Sequence, residues 1–415
     1  MAESIKLRWL PNPASGLSRR DRRGCDYEAY VPDRLASREI SLSGPTAADV
    51  TDAQAAVERL NREARSLVDS EAVARLLLRA EAVASSKIEG LEVGGRRLLK
   101  AQLAAALGED PSDISAAEIV NNIEAMRWAI DSVADVEDIT VDHLLGVHER
   151  LLMGTPLEQH AGRLRDQQNW IGGSPYNPCS AVFVPPPHQH VRDLLEDLCE
   201  FCNAEDLPAI AQAALAHAQF ETIHPFVDGN GRTGRALIHL ILRRRDLARV
   251  VVSPVSLVLA TWAQDYVNGL TATRYRGEPS SREAIDGLDR WVGLFAAATT
   301  RAVGDAETYE RRVGHVRSAW RRALGRVRAN SAADLLVEAL PGAPIITVQS
   351  AAALIGRSEQ AVNEAIPRLV EAGVLVQTTV GRRNRAFEAP DLIDAFNDLE
   401  RQLASGPPSV SREIS

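Results

Sequence analysis

The chain has 415 residues, enough for two or three domains with an ample core. Hydrophobic residues make up 45% and charged ones 25%, an ordinary balance for a soluble protein, and a formal net charge of -9 gives no global attraction to nucleic acid or to an anionic membrane. No apolar run approaches the ~18 residues needed to span a bilayer. The N-terminus, with Pro11, Pro13 and the cluster Arg19-Arg20-Asp21-Arg22-Arg23, lacks the apolar core of a signal peptide, so a cytoplasmic protein without membrane contact is expected.

Residues 1 to about 45 read as loop with short extended pieces, among them Tyr27-Glu28-Ala29-Tyr30-Val31-Pro32. From Thr51 to about 110 the pattern is helical, and Val73, Leu76, Leu77, Ala80 and Val83 form an apolar stripe that argues for a docked helix. That helix ends in Ser85-Ser86-Lys87-Ile88-Glu89-Gly90, where Ser85 and Glu89 share a face at i and i+4 and Gly90 is a natural stop. Taken alone, the string also fits an exposed carboxylate near a helix end. Asp110-Pro111-Ser112 marks a break, giving an N-terminal helical region over 1–110 and a core over 111–305.

Within the core, helices are expected at about 115–131, 140–153, 188–203, 208–222, 231–246, 255–275 and 283–303. Asn169-Trp170-Ile171-Gly172-Gly173 leads into Ala181-Val182-Phe183-Val184 and three prolines, a β-prone hairpin with a rigid exit. Its edge is either buried or open to strand addition by an extended peptide. His188 and His190 read as surface residues. Cys199-x-x-Cys202 sits in a helical pattern with no second pair to complete a zinc site, so both read as small buried thiols, and Cys25 and Cys179 read as solitary.

The most informative stretch is residues 224–235, His-Pro-Phe-Val-Asp-Gly-Asn-Gly-Arg-Thr-Gly-Arg. Gly229, Asn230, Gly231 and Gly234 let successive backbone N–H groups converge on phosphate oxygens. The apolar run that follows, Ala236 to Leu242, reads as a buried helix, so the loop delivers an anion to a helix N-terminus. Arg232 and Arg235, one turn apart, add charge-assisted bonds. Gly229-x-Gly231-x-x-Gly234 also matches a dinucleotide fingerprint, but the preceding stretch is alanine-rich and helical where that fold needs a strand. A Walker loop fails because no Gly-Lys-Ser/Thr follows.

Residues 306–335 form an arginine-rich connecting helix (Arg311, Arg312, Arg317, Arg321, Arg322, Arg326, Arg328), either solvated or a basic face for nucleic acid. Over 336–400, two helices turn at Gly356 with Ser358 as N-cap, then a strand, a basic turn at Gly381 to Arg385 and a return strand. This order resembles a winged helix-turn-helix. DNA would meet the second helix and the wing, but Glu359 and Glu364 on that helix argue against tight binding, so target docking or dimerisation is the favoured role. The tail, 401–415, reads as disordered.

Residues 224–235 resemble, without departure, the signature HPFxDGNGRxGR of the Fic family, named for filamentation induced by cAMP. The resemblance covers about 27–305 and implies a mainly all-α protein: a helical core with a small β-hairpin flap, here joined to a C-terminal winged helix-turn-helix. It implies a protein adenylyltransferase moving AMP from ATP to a Tyr, Thr or Ser hydroxyl of a target protein or of itself. His224 would be the base, Phe226 the loop anchor and Asp228 the Mg²⁺ holder. Gly229, Asn230, Gly231, Thr233 and Gly234 would form the nucleotide-binding turn, and Arg232 and Arg235 would grip the β- and γ-phosphates. Ser85, Glu89 and Gly90 resemble the inhibitory motif, whose glutamate would pair with Arg235 in place of the γ-phosphate. Ala181 to Val184 resemble the target-docking flap, Gly162-Arg163-Leu164-Arg165 its lead-in, and Tyr27 to Pro32 the opening of the N-terminal region. Trp262 and Tyr266 are candidates for adenine contact, although the Asn expected close to Trp262 is missing. Removal of AMP by the same site, with Glu89 activating water, is an alternative. A transcription regulator with the core as sensor is another, disfavoured because a sensor needs no base. A homodimer is compatible with all three.

Overall fold

The computed structural model describes residues 1–12, 16–66, 70–109, 113–133, 138–380 and 384–404. The chain opens with an antiparallel pair, β1 (Glu3–Trp9) and β2 (Cys25–Val31), in which Glu3 faces Val31 and Trp9 faces Cys25. Helices follow: α1 (Gly44–Ser66), α2 (Ser70–Ile88), α3 (Gly95–Ala106), α4 (Ile114–Ser132), α5 (Val141–Leu152), α6 (Val191–Asn203), α7 (Ala209–Ile223), α8 (Asn230–Arg244), α9 (Val255–Thr261), α10 (Ala263–Ala272) and α11 (Arg282–Leu324). The C-terminal part runs α12 (Ala332–Ala339), β3 (Ile345–Ile346), α13 (Val348–Ile355), α14 (Glu359–Glu371), β4 (Val376–Val380), β5 (Asn384–Glu388) and α15 (Pro390–Ala404). The protein is mainly helical, as expected.

The short extended pieces expected within residues 1–45 pair with one another as strands, joined by a long Pro- and Arg-rich connection and not a tight turn. Two expectations about elements are corrected. The helix expected over 255–275 is two helices, parted at Trp262 where the backbone leaves helical values (φ -93°, ψ 37°). The helices expected at 283–303 and from 306 are one 43-residue helix, α11. Only Gly304 marks the expected break, and a single helical glycine costs about 1 kcal/mol, too little to end a helix.

The chain divides into two compact units. The first comprises 1–54, 125–247 and 264–297. Its centre is α7, all of whose residues are buried, as suits a helix apolar on every side. Trp291 of α11 is fully buried and donates from Nε1 to the carbonyl of Ala214 at 2.7 Å. Cys25 on β2 is joined by a disulfide to Cys179, with Cα atoms 5.7 Å apart. The reading of both cysteines as solitary is thereby corrected; 154 residues separate them, and nothing local in sequence marks such a pair. Cys199 and Cys202 are buried thiols on α6, and burial pushes Cys199 up to about 12.

The second unit comprises 55–124, 248–263 and 298–415. Here α2 packs on α9, and the buried carboxylate of Glu81 accepts from the N–H and hydroxyl of Ser256 at 2.8 and 2.5 Å, closing the first turn of α9. Asn122 donates to the Ala82 carbonyl at 2.8 Å and to the Ser86 hydroxyl at 3.0 Å, fixing α2 from α4. Helix α2 ends in a Schellman turn: Gly90 (φ 81°) donates to Lys87 and Leu91 donates to Ser86. Towards the C-terminus the sheet order is β3-β5-β4, all antiparallel. Thr347 and Ser350 cap α13 reciprocally, Gly356 (φ 60°) turns the chain, and Ser358 caps α14. Residues 381–383 of the expected basic wing, and 405–415 of the expected tail, lie outside the described residues. Three arginines of α11 are ion-paired at the surface: Arg317 meets Glu338 at 2.6 Å, Arg321 meets Asp334 at 3.2 Å and also Glu338, and Arg312 meets Asp398. No helix among the described residues is long and apolar enough to cross a membrane.

Candidate active site

Helix α7 terminates on His224, whose N–H still bonds to Phe220 but whose backbone is left-handed (φ 49°, ψ 61°). A side chain there costs about 1–2 kcal/mol, so something must hold it. Arg165 does so from a buried position: its Nε donates to the His224 carbonyl at 2.9 Å, and its Nη2 to Pro186 at 2.6 Å. The Asn169 amide adds bonds to the carbonyls of His224 at 3.3 Å and Phe226 at 3.0 Å. Burial pulls the Arg165 guanidinium down to about 10, which leaves it charged. Pro225 then forbids helix continuation, and Phe226, fully buried, anchors the loop.

The turn into α8 is tied by one side chain. Asn230 accepts from the Phe226 N–H at 2.8 Å and returns its amide to the Phe226 carbonyl at 2.9 Å. Gly229 is left-handed (φ 75°), and a Cβ there would stand 2.7 Å from Leu151 Cδ2. Asp228 projects its carboxylate to solvent, 49% exposed, and meets the buried Arg232 at 3.1 Å. Arg235 is 1% exposed. One continuous loop and helix start therefore brings His224, Asp228, Asn230, Gly231, Arg232, Thr233 and Arg235 together. A single accessible carboxylate beside a helix N-terminus fits Mg²⁺, which takes one or two carboxylates and completes its shell with phosphate oxygens and water. Such a cation would bind at Asp228 and neutralise phosphate charge.

Gly234 has a different task from the one its sequence position implies. A Cβ there would lie 2.9 Å from Glu221 Oε1 and from Phe220 Cδ1, so this glycine lets α8 approach α7. Behind it His217 is fully buried and bonds through Nε2 to the Tyr266 hydroxyl at 2.8 Å. Burial, with Arg235 adding to it, pushes His217 down to about 3, so the ring is neutral. Tyr266, a candidate for adenine contact, is 5% exposed and packed among His217 and Trp291. Trp262 is half-buried and belongs to the second unit.

The flap segment is less regular than a hairpin. Ile171 and Phe183 form a single antiparallel bridge, with Ile171 N–H to Phe183 carbonyl at 2.8 Å. Gly172 and Gly173 are left-handed (φ 74° and 78°), and a 3₁₀ turn at Pro178–Ser180 closes the loop. Val182 is 85% exposed, Ala181 is part-exposed, Phe183 lies under the Arg274 guanidinium at 3.7 Å, and the Val184 carbonyl is taken by Tyr30 at 2.9 Å. In the second unit Ser85 is buried, while Glu89 and Gly90 are exposed at the end of α2. Sequence reasoning missed His148. It sits on the buried stripe of α5 with Leu144, Val147 and Leu151, where a histidine looks like any core residue.

Residues 138–242 match the Fic/DOC family and residues 47–131 its N-terminal region. A protein adenylyltransferase fic-1 of Caenorhabditis elegans is 27% identical over 196 residues, covering 46% of this chain and 36% of that protein. A protein adenylyltransferase Fic of Drosophila melanogaster is 33% identical over 139 residues, covering 32% and 26%. The matched stretches thus span about a third and about a quarter of these relatives' length. The crystal structure of a Fic family protein from Desulfovibrio desulfuricans G20 superposes with a TM-score of 0.52 at 21% identity, covering 85% of this chain and 98% of that one, which shows a shared fold. The core over 138–242 and the region over 47–131 thus carry, respectively, a Fic/DOC family domain and that family's N-terminal region.

Proposed function

We propose that this protein transfers AMP from ATP to a hydroxyl side chain of a target protein, and that Glu89 restrains the reaction. The observation that carries the reading is the single turn from His224 to Arg235. It sets a half-buried imidazole, an accessible carboxylate and a helix N-terminus flanked by two arginines in one place. His224 accepts the hydroxyl proton as the oxygen attacks the α-phosphorus and pyrophosphate leaves. Arg232, Arg235 and the first N–H groups of α8 hold the phosphates, while Asp228 binds the Mg²⁺ that accompanies ATP. Positioning and charge neutralisation supply most of the acceleration.

The inhibitory reading rests on the Ser85-x-x-x-Glu89-Gly90 string at the end of a helix that Glu81 and Asn122 fix firmly. By the family resemblance, Glu89 would compete with the γ-phosphate for Arg235. Removing that competition, at about 1.4 to 2.7 kcal/mol, would raise transfer ten- to a hundredfold. The test is α-labelled ATP with cell lysate and wild type, Glu89→Gly or His224→Ala. Glu89→Gly should label a target, or the protein itself, at an increased initial rate. His224→Ala should bind nucleotide and transfer about 100- to 10,000-fold less. Wild-type transfer by His224→Ala would overturn the mechanism. A lower rate for Glu89→Gly, with AMP instead of pyrophosphate released from a modified target, would support removal of AMP.

The C-terminal helices and sheet have the order of a winged helix, and we read them as a docking module for the target or for a second copy. The outward side of α14 carries Glu359, Gln360, Asn363, Glu364 and Glu371, a face that repels DNA phosphates, and the α11 arginines that would offset it are partly paired. The transcription-regulator reading is correspondingly weakened.

A further inference from the structure

We propose that His148 is a positioning residue that sets the main chain of Asp228 for its divalent cation; this rests on the nucleotide reading of the turn. The ring is fully buried, yet both its nitrogens are engaged. The Gly162 N–H points at Nδ1 at 3.2 Å, and an amide N–H can only donate, so Nδ1 holds a lone pair. The proton is therefore on Nε2, which donates to the Asp228 carbonyl at 3.0 Å. The partners choose this tautomer, and the ring face stacks on Phe226 with centroids 3.7 Å apart and planes 7° from parallel.

What these contacts hold is specific. The Asp228 side chain is half exposed, so its carboxylate is aimed by its bond to the buried Arg232 at 3.1 Å and by the main chain beneath it. Beneath the turn lies α5: a Cβ on Gly229 would meet Leu151 at 2.7 Å and His148 Cδ2 at 3.5 Å. The same ring grips Gly162, three residues before Arg165, whose guanidinium holds the His224 carbonyl. One imidazole thus registers the metal-holding residue and the segment that steadies the base against the same helix.

The test separates the two hydrogen bonds from the bulk of the ring. His148→Gln keeps a donor near the Nε2 position, His148→Asn keeps only an acceptor near Nδ1, and His148→Phe keeps the stack and loses both bonds. Binding of α,β-methylene-ATP to the full chain is measured by calorimetry with and without Mg²⁺. The Mg²⁺-dependent gain in affinity should fall about tenfold, the worth of one buried hydrogen bond, in His148→Asn and His148→Phe. It should stay within about threefold of wild type in His148→Gln, with metal-free binding unchanged in all three. Nitrogen NMR of the wild-type ring should show a single neutral tautomer protonated on Nε2. An undiminished gain in His148→Asn, or equal losses in His148→Gln and His148→Asn, overturns the proposal. A wild type with no Mg²⁺-dependent gain overturns the nucleotide reading, and this inference with it.

Discussion

At the scale of single residues, the glycines of the motif divide by task. Gly229 is required by its left-handed backbone, whereas Gly234 is required by helix packing, with Glu221, Phe220 and His217 crowding the place of a side chain. Gly234→Ala should therefore cost about 1–3 kcal/mol, the usual penalty for overpacking a rigid contact, seen as a lower urea midpoint in nucleotide-free protein. An unchanged midpoint would mean that α7 and α8 give way and that Gly234 serves the phosphates alone. The sequence showed which residues gather at the turn, because twelve consecutive positions carry them. It did not show why Asn230 is needed, since its bonds to Phe226 are made by the side chain and not by the backbone alone. Nor did it reveal His148 or the hold of Arg165 and Asn169 on His224. Those partners lie 55 to 80 residues away, beyond any local periodicity.

At the scale of elements, helices were legible wherever apolar spacing was regular and caps were explicit, as at Gly90, Gly356 and Ser358. Boundaries failed where only geometry decides, at Trp262 and along α11. At the N-terminus the sequence showed extended pieces and not their pairing, and the chief consequence of that pairing lies at the flap. Cys25 of β2 bonds to Cys179, while Ser174 reaches Asp21 at 2.6 Å, Asn177 holds the Asp21 carbonyl at 2.9 Å, and Trp9 meets Trp170 edge-on at 5.3 Å. The segment proposed to dock the target is thus braced from residues some 150 positions earlier. Closing so long a loop lowers the entropy of the unfolded chain, so the disulfide should contribute about 2–5 kcal/mol. Reductant should lower the unfolding free energy of wild type by that amount, seen as a lower denaturation midpoint, and Cys25→Ser should start low and not respond. Equal midpoints for oxidised and reduced wild type would show that the hydrogen bonds alone brace the flap.

At the scale of the whole molecule, the chain passes between its two units five times, at 54/55, 124/125, 247/248, 263/264 and 297/298. A division read from the sequence, with a catalytic core ending near 305, would cut through α11 and leave the second unit without its C-terminal half. That half is structural to what precedes it: α15 packs on α3 and α9, and Arg79 of α2 donates to the Gly342 carbonyl at 3.0 Å. Truncation after residue 305 would remove the Gly342 acceptor from Arg79 and expose the apolar faces of α3 and α9, and a lost buried hydrogen bond to a charged group alone costs about 1.5–3 kcal/mol. A loss of that size is a large part of a domain's net stability. The truncated chain should therefore lose cooperative thermal unfolding, or precipitate, even though the entire His224 to Arg235 turn is retained. The measurement is near-ultraviolet circular dichroism through a melt of the full and truncated chains at matched concentration. A truncated chain melting cooperatively at the full-length midpoint would show that the C-terminal helices are an appended module; a melt broadened from its onset would show that they complete the unit carrying α2, and with it the seat of Glu89.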